Sequence, residues 1–367
     1  RKKANKRSFG IAFTCYVKMV SFIKKNLKGV KIRMKKLINN PNNVVEEMIE
    51  GYVKAHSDYI CQLPENKRAL VTNRKTRDGK VGILIGGGSG HEPGFMGYVG
   101  EGMADGVAVG NIFASPSPDP ILAVTKAIDK GAGVVYLYGN YAGGLMNFGM
   151  AAEMADLEED IQVGVALASD DVASAPKEEK EKRRGIAGEF FIYKVAGAAA
   201  DFGYNLEEVV RIAKKANENT RSMGVGLTPC SLPQTGKPSF EIGENEMEIG
   251  LGHHGEPGIE KGPLETADKV AERLVNDILS DIEINKGDQV AVLVNGLGST
   301  PRMELYIVYR KVEQMLSEKG IGIYRSYVGD YITSLEMGGC SVTLLKLDDE
   351  LKKTIDHPVD CPMFVQR

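Results

Sequence analysis

The chain has 367 residues, 43% apolar and 26% charged, a balance that fits a soluble globular protein with material for two cores and excludes disordered and membrane-embedded classes. The formal net charge of −3 hides an asymmetry: the first 33 residues hold 11 Lys/Arg and no acid, so residues 34–367 carry 35 basic against 49 acidic side chains, a net of −14. So acidic a body is a poor partner for nucleic acid, and no apolar stretch approaches the length of a membrane-spanning helix.

Residues 1–33 read as a basic upstream extension outside the fold, because their apolar stretch 9–20 is broken by Lys18 and Met34-Lys35-Lys36-Leu37-Ile38 looks like a beginning. Asn42–His56 is predicted helical, with Val44, Val45, Met48, Ile49 and Tyr52 on one stripe. Short apolar runs then predict strands at Val81–Ile85, Gly106–Val109, Gly133–Tyr138, Ile161–Leu167, Met223–Leu227, Met247–Leu251, Gln289–Val294, Ile321–Ser326 and Ser341–Lys346. Between them, helices are expected at Leu145–Ala155, Leu206–Thr220, Leu264–Leu279 and Met303–Ser317. The alternation predicts an α/β fold, divided into a first domain over 34–220 and a second over 221–367. The mixed-charge run Lys177–Arg184 reads as a solvated loop or helix face. Five dispersed cysteines without a CxxC pair point to reduced thiols and a cytoplasmic location.

Chemistry concentrates in two glycine-rich stretches. Residues 86–94, GGGSGHEPG, follow an apolar run, yet they fail the dinucleotide pattern because the sixth position is His91, and no lysine follows Gly90 as a P-loop requires. Exposed backbone N–H groups there suit a small polyhydroxylated ligand; the bland alternative is a strand-to-helix turn capped by Ser89, with Pro93 at a first helical position. Residues 252–258, GHHGEPG, echo the first motif, and three of the five histidines fall in the two stretches. Histidine near neutral pH serves as base, acid or nucleophile, so the two loops read as halves of one polar site. A shared metal is disfavoured, since His253 and His254 would face opposite ways in an extended segment.

These residues resemble the dihydroxyacetone kinase K-subunit family. The resemblance covers nearly all of residues 34–367 and rests on GGGSGHEPGFMGYVGEGM (86–103), IFASPSPDP (112–120), GNYAGGLMNF (139–148), GKPSFEIGENEMEIGLGHHGEPGI (236–259) and NGLGSTPRMELY (295–306). It implies two α/β domains, a homodimer and a place in glycerol metabolism. It also implies that His254 binds the carbonyl of a short ketose as a hemiaminal, and that His91 acts as base or hydrogen-bond partner at the hydroxyl receiving phosphate. Gly88 and Ser115 fall at substrate contacts. The chain itself would bind no cofactor: Mg-ADP is expected on a separate L subunit, recharged from phosphoenolpyruvate through a phosphotransferase-system protein.

Two positions depart from the family. Where it usually reads K-N-Y-x-G-D-x-x-N-F, this chain has Gly139 for the lysine and Gly144 for the acid-base aspartate. Loss of a general base costs roughly 10²–10⁴ in rate. Asp170, Asp171, Glu92 and Glu101 are the candidate substitutes, each equally readable as an ordinary loop-end acid. The departures keep two other functions open: a catalytically silent dihydroxyacetone-binding coactivator of a transcription regulator, and a kinase for a related sugar such as erythrulose.

Overall fold

A computed structural model describes residues 35–367; the basic extension and Met34 lie outside the described residues. Residues Asn39–Arg367 form a single unit built on two six-stranded sheets. The first contains β1 (Ile60–Leu63), β2 (Asn66–Thr72), β3 (Gly82–Ser89), β4 (Gly106–Ile112), β5 (Val134–Gly139) and β6 (Val163–Ala168), in the order β1-β2-β4-β3-β5-β6. Strands β4, β3, β5 and β6 run parallel, and the β1–β2 hairpin closes one edge antiparallel. Chain direction across this sheet reverses at β3, because β4 lies on one side of it and β5 on the other. In open α/β sheets ligands bind at such a switch point, beyond the carboxyl ends of the strands.

The second sheet holds β7 (Thr220–Thr228), β8 (Glu246–Ile249), β9 (Glu260–Pro263), β10 (Gln289–Gly296), β11 (Gly322–Gly329) and β12 (Gly338–Leu347), ordered β11-β10-β12-β7-β8-β9. Only its β10–β11 pair is parallel. A short hairpin of β13 (Val359–Cys361) and β14 (Phe364–Gln366) ends the chain. It returns to the first half, where Glu101 and Asp360 exchange backbone hydrogen bonds.

The helices are α1 (Val44–Ala55), α2 (Pro118–Ile128), α3 (Ala142–Glu159), α4 (Glu189–Asp201), α5 (Leu206–Glu218), α6 (Ala267–Asp281), α7 (Arg302–Glu318) and α8 (Asp349–Asp356). Amphipathic sequence explains most of them: α5 buries Val209, Ile212, Ala213 and Ala216, and its start is fixed by a capping box between Asn205 and Glu208. Helix α4 differs. It is buried on every face from Glu189 to Ala200, so no polar stripe marks it in the sequence.

All nine expected strands and five expected helices are present, with shifted ends; the fold is α/β. Two local expectations are overturned. No α-helix starts at the first glycine-rich stretch: Ser89 still belongs to β3 and donates to the Gly110 carbonyl at 2.8 Å, Pro93 lies in a turn, and only a short 3₁₀ turn follows over Met96–Tyr98. The charge run is also not uniformly solvated. Its exposed part is a 3₁₀ turn over Lys177–Lys182, but Arg183 is buried and grips Asp281 at 2.8 and 2.6 Å, with Arg221 as third partner. A buried guanidinium pays for its lost hydration only with such bidentate pairing.

Candidate functional site

The carboxyl ends of β3, β4 and β5 open on a cavity of about 470 Å³. Its walls include Gly86–Gly88 from β3, Phe113–Ser115 after β4, Gly139 at the end of β5, and Gly143, Gly144 and Asn147 from α3. Every sequence-predicted residue, His91, His254, Gly88 and Ser115, lines it. Gly88 is dictated by crowding: a Cβ there would sit 2.6 Å from the Ala114 amide nitrogen and 2.8 Å from Phe113 Cα. The Asn147 amide donates to the Pro116 carbonyl at 2.8 Å and ties α3 to the Ser115 loop.

His91 is buried. Its Nδ1 lies 2.6 Å from the Thr333 carbonyl, which only accepts, so Nδ1 carries the proton and the Nε2 lone pair points away. Backbone bonds from Thr333 N to His91 O and from Leu335 N to Gly90 O stitch this loop to the segment after β11. Burial, reinforced by the nearby His254, pushes the His91 imidazole down to about 3, so it is neutral throughout the physiological range.

His254 follows β8 in a turn that needs Gly255 at φ +87°. Its Nδ1 donates to Glu256 Oε1 at 2.7 Å, and its backbone N–H donates to Glu256 Oε2 at 2.9 Å. Burial opposes the Glu256 charge, but these hydrogen bonds and the imidazole hold its carboxyl far below the usual range. The carboxylate therefore fixes the second imidazole in the Nδ1–H tautomer too. The two Nε2 atoms meet 3.2 Å apart, each offering a lone pair to the same spot. Two lone pairs at that distance need a proton or an electrophile between them.

Aromatic faces hold the pair. His91 stacks on Phe113 at 5.1 Å, while Phe113 and Tyr141 contact the His254 ring edgewise at 5.0 and 5.1 Å. The expectation that His253 and His254 face apart is wrong. The segment turns instead of extending, and both rings approach His91, at 5.4 and 5.1 Å.

The suggested replacement acids do not line the cavity. Asp170 is buried and accepts from the Ile186 and Gly188 amides, shaping the approach to α4. Asp171 pairs with Arg184 at 2.8 Å; burial, offset by that pairing, leaves it at about 7. Glu92 accepts from the Gly90 amide, and Glu101 is exposed. Sequence reasoning missed Glu256 as the partner of His254 and Glu189 as a lining acid. The first was visible in the spacing His-Gly-Glu; the second left no pattern, because α4 is wholly buried.

Comparison with known proteins agrees with this architecture: residues 50–363 match the Dak1 domain. The chain belongs to the Dak1 family. Among Dak1 relatives, it is 48% identical over 331 residues to "PTS-dependent dihydroxyacetone kinase 2, dihydroxyacetone-binding subunit DhaK" of Listeria innocua, covering 90% of this chain and 99% of that one. Among solved structures it resembles the "dihydroxyacetone kinase operon co-activator Dha-DhaQ", with a TM-score of 0.81, 32% identity, and coverage of 88% of this chain and 98% of that one. It also resembles the dihydroxyacetone kinase of C. freundii crystallised with AMP-PNP and Mg2+, with a TM-score of 0.83, 30% identity, and coverage of 91% and 61%. Among the described residues of this Dak1 chain no helix is long and apolar enough to cross a membrane.

Proposed function

We propose that this chain is the dihydroxyacetone-binding subunit of a phosphoenolpyruvate-dependent dihydroxyacetone kinase, working in the cytoplasm as a homodimer. A separate L subunit carries Mg-ADP and a phosphotransferase-system protein recharges it. The observation that carries the reading is the convergence of the His91 and His254 Nε2 atoms at 3.2 Å inside a cavity walled by Gly88 and Ser115.

The chemistry follows from that pair. The His254 Nε2 lone pair adds to the ketose carbonyl carbon, and the C=O π pair moves onto oxygen, which takes a proton from solvent. The Nδ1 proton leaves toward Glu256, so a neutral hemiaminal results. Glu256 favours the step by raising electron density on the ring, as a carboxylate acceptor does more strongly than a carbonyl. The anchored ketose then presents a hydroxyl to His91 Nε2, which accepts its hydrogen as phosphate arrives. Fixing the substrate for in-line attack supplies much of the catalysis in phosphoryl transfer. Glycerol, without a carbonyl, is rejected.

A second reading has its own support: Gly144 offers no carboxyl where the family usually carries one, and a co-activator is among the similar structures. In that reading the chain binds dihydroxyacetone and signals to a transcription regulator without turnover. One assay separates them. The chain is mixed with an active L subunit, its phosphoryl donor and dihydroxyacetone, and dihydroxyacetone phosphate is followed. Turnover eliminates the silent reading; no turnover, with ketone binding that disappears in His254→Ala, eliminates the kinase reading.

A further inference from the structure

Among the described residues that line the cavity, Glu189 alone carries a carboxyl group, and the mechanism above gives it no task. It opens α4 with only 3% of its surface exposed. Its two oxygens differ. The Tyr193 hydroxyl, one turn along α4, donates to Oε2. Oε1 turns to the end of β5, where a Cβ on residue 139 would collide with it. Gly139 is therefore what makes room for this carboxyl: a side chain at residue 139 and the Glu189 carboxyl would compete for the same space.

Three other ionisable groups act on or feel it: Tyr193 on its own helix, Asp170 on the loop before α4, and Tyr141 after β5. No cation pairs with it among the described residues. Burial raises the carboxyl, the Tyr193 hydrogen bond opposes this and Asp170 adds to it, with the result at about 8. Tyr193 is raised well above its ordinary value by burial and by Glu189, so it stays a donor. With Oε2 occupied as an acceptor, the carboxyl proton belongs on Oε1, beside Gly139 and the cavity.

We propose that Glu189 is a substrate-binding residue that keeps its proton on Oε1 and donates it as a hydrogen bond to an oxygen of the ketose held by His254. The inference rests on the ketose-binding reading above. Neutral carboxylic acids held as donors in apolar sites have this use elsewhere.

Dihydroxyacetone affinity would be measured by calorimetry for the parent chain, Glu189→Gln, Glu189→Ala and His254→Ala, from about pH 6.5 to about pH 9.5. The parent should lose about tenfold in affinity as pH rises through about 8 and Oε1 gives up its proton. Glu189→Gln keeps an N–H donor, so its profile should be flat over the same range. Glu189→Ala, shown folded by its thermal melt, should bind about tenfold more weakly at neutral pH. A folded Glu189→Ala that binds like the parent overturns the proposal, as does an unchanged pH fall in Glu189→Gln, which would assign the titration to Asp170 or Asp171. If Glu189→Ala does not fold, the Glu189→Gln profile decides. A parent chain that takes up no ketose overturns both this inference and the reading beneath it; a parent that binds, with Glu189 variants indistinguishable from it, overturns only this one.

Discussion

The loops GGGSGHEPG and GHHGEPG share the residues His, Glu, Pro and Gly, but they give their histidines opposite characters. In the first, Glu92 follows His91 directly and spends its carboxylate on the Gly90 amide, leaving His91 Nδ1 to a backbone carbonyl. In the second, Gly255 separates the two, and at φ +87° it folds Glu256 back so that the carboxylate takes both N–H groups of His254. One inserted glycine thus decides which histidine has an anion behind it. His91 is buried and its basicity is suppressed; His254 is a quarter exposed and is backed by a charge. The first suits a hydrogen-bond acceptor at a hydroxyl, the second a nucleophile toward a carbonyl.

Removing the nucleophile tests the comparison most severely. His254→Ala should abolish the covalent ketose adduct, read as a mass increase on the intact protein, while His91→Ala should keep the adduct. A His91→Ala chain without adduct, beside a His254→Ala chain that retains it, would exchange the assigned roles. In the kinase assay His91→Ala should lower turnover about tenfold, the loss of one hydrogen-bond acceptor at the reacting hydroxyl.

Glu256→Gln should have a smaller effect. It preserves shape but removes the charge that fixes the Nδ1–H tautomer, so the rate of adduct formation should fall about 10- to 100-fold with the final adduct unchanged. The matching change in the first loop, Glu92→Gln, leaves the Thr333 bond of His91 intact and should alter adduct formation less than about twofold. Equal losses in the two variants would show that the carboxylates act alike, and the distinction drawn from Gly255 would fail.

Continuous apolar runs made the strands of both sheets readable, because central strands such as Val134–Tyr138 and Val290–Val294 are buried on both faces and carry apolar side chains at nearly every position. Rare residue types made the two histidine loops readable in the same way. Burial hid the rest. Helix α4 has no polar face and its Glu189 and Lys194 are both internal, so hydropathy contrast gave no sign of either. Arg183 sits near the end of a charge run whose members 177–182 are exposed, and only tertiary contact with Asp281, nearly a hundred residues away, separates it from them. The edge strands β1 and β9 are four residues long and partly polar, too short for a period to register. The pairing of Gly139 with Glu189 was unreadable for another reason: the two residues lie on different elements, joined only by the fold.

Gly144→Asp is the mildest change and bears on why His91 stands without a neighbouring carboxylate. A Cβ at 144 would meet the Tyr138 ring at 3.1 Å and the Gly139 carbonyl at 3.4 Å, contacts that a shift of a few tenths of an ångström relieves. The position lies in the first turn of α3, where a carboxylate gains about 0.3–1 kcal/mol from the helix dipole and replacing glycine removes a further penalty of a few tenths. The variant should therefore fold, with a melting temperature about 1–3 °C above the parent. Turnover with the L subunit should rise, because a carboxylate on that wall restores an acceptor where His91 is too weakly basic to hold a proton itself. A gain of less than about tenfold means that His91 and the anchored ketose already suffice, and a gain above about 10² means the parent site is built to bind rather than to turn over. No gain at all, in a variant that melts higher, would place the limiting step outside this wall and leave the contrast between the two loops as the whole of the site's chemistry.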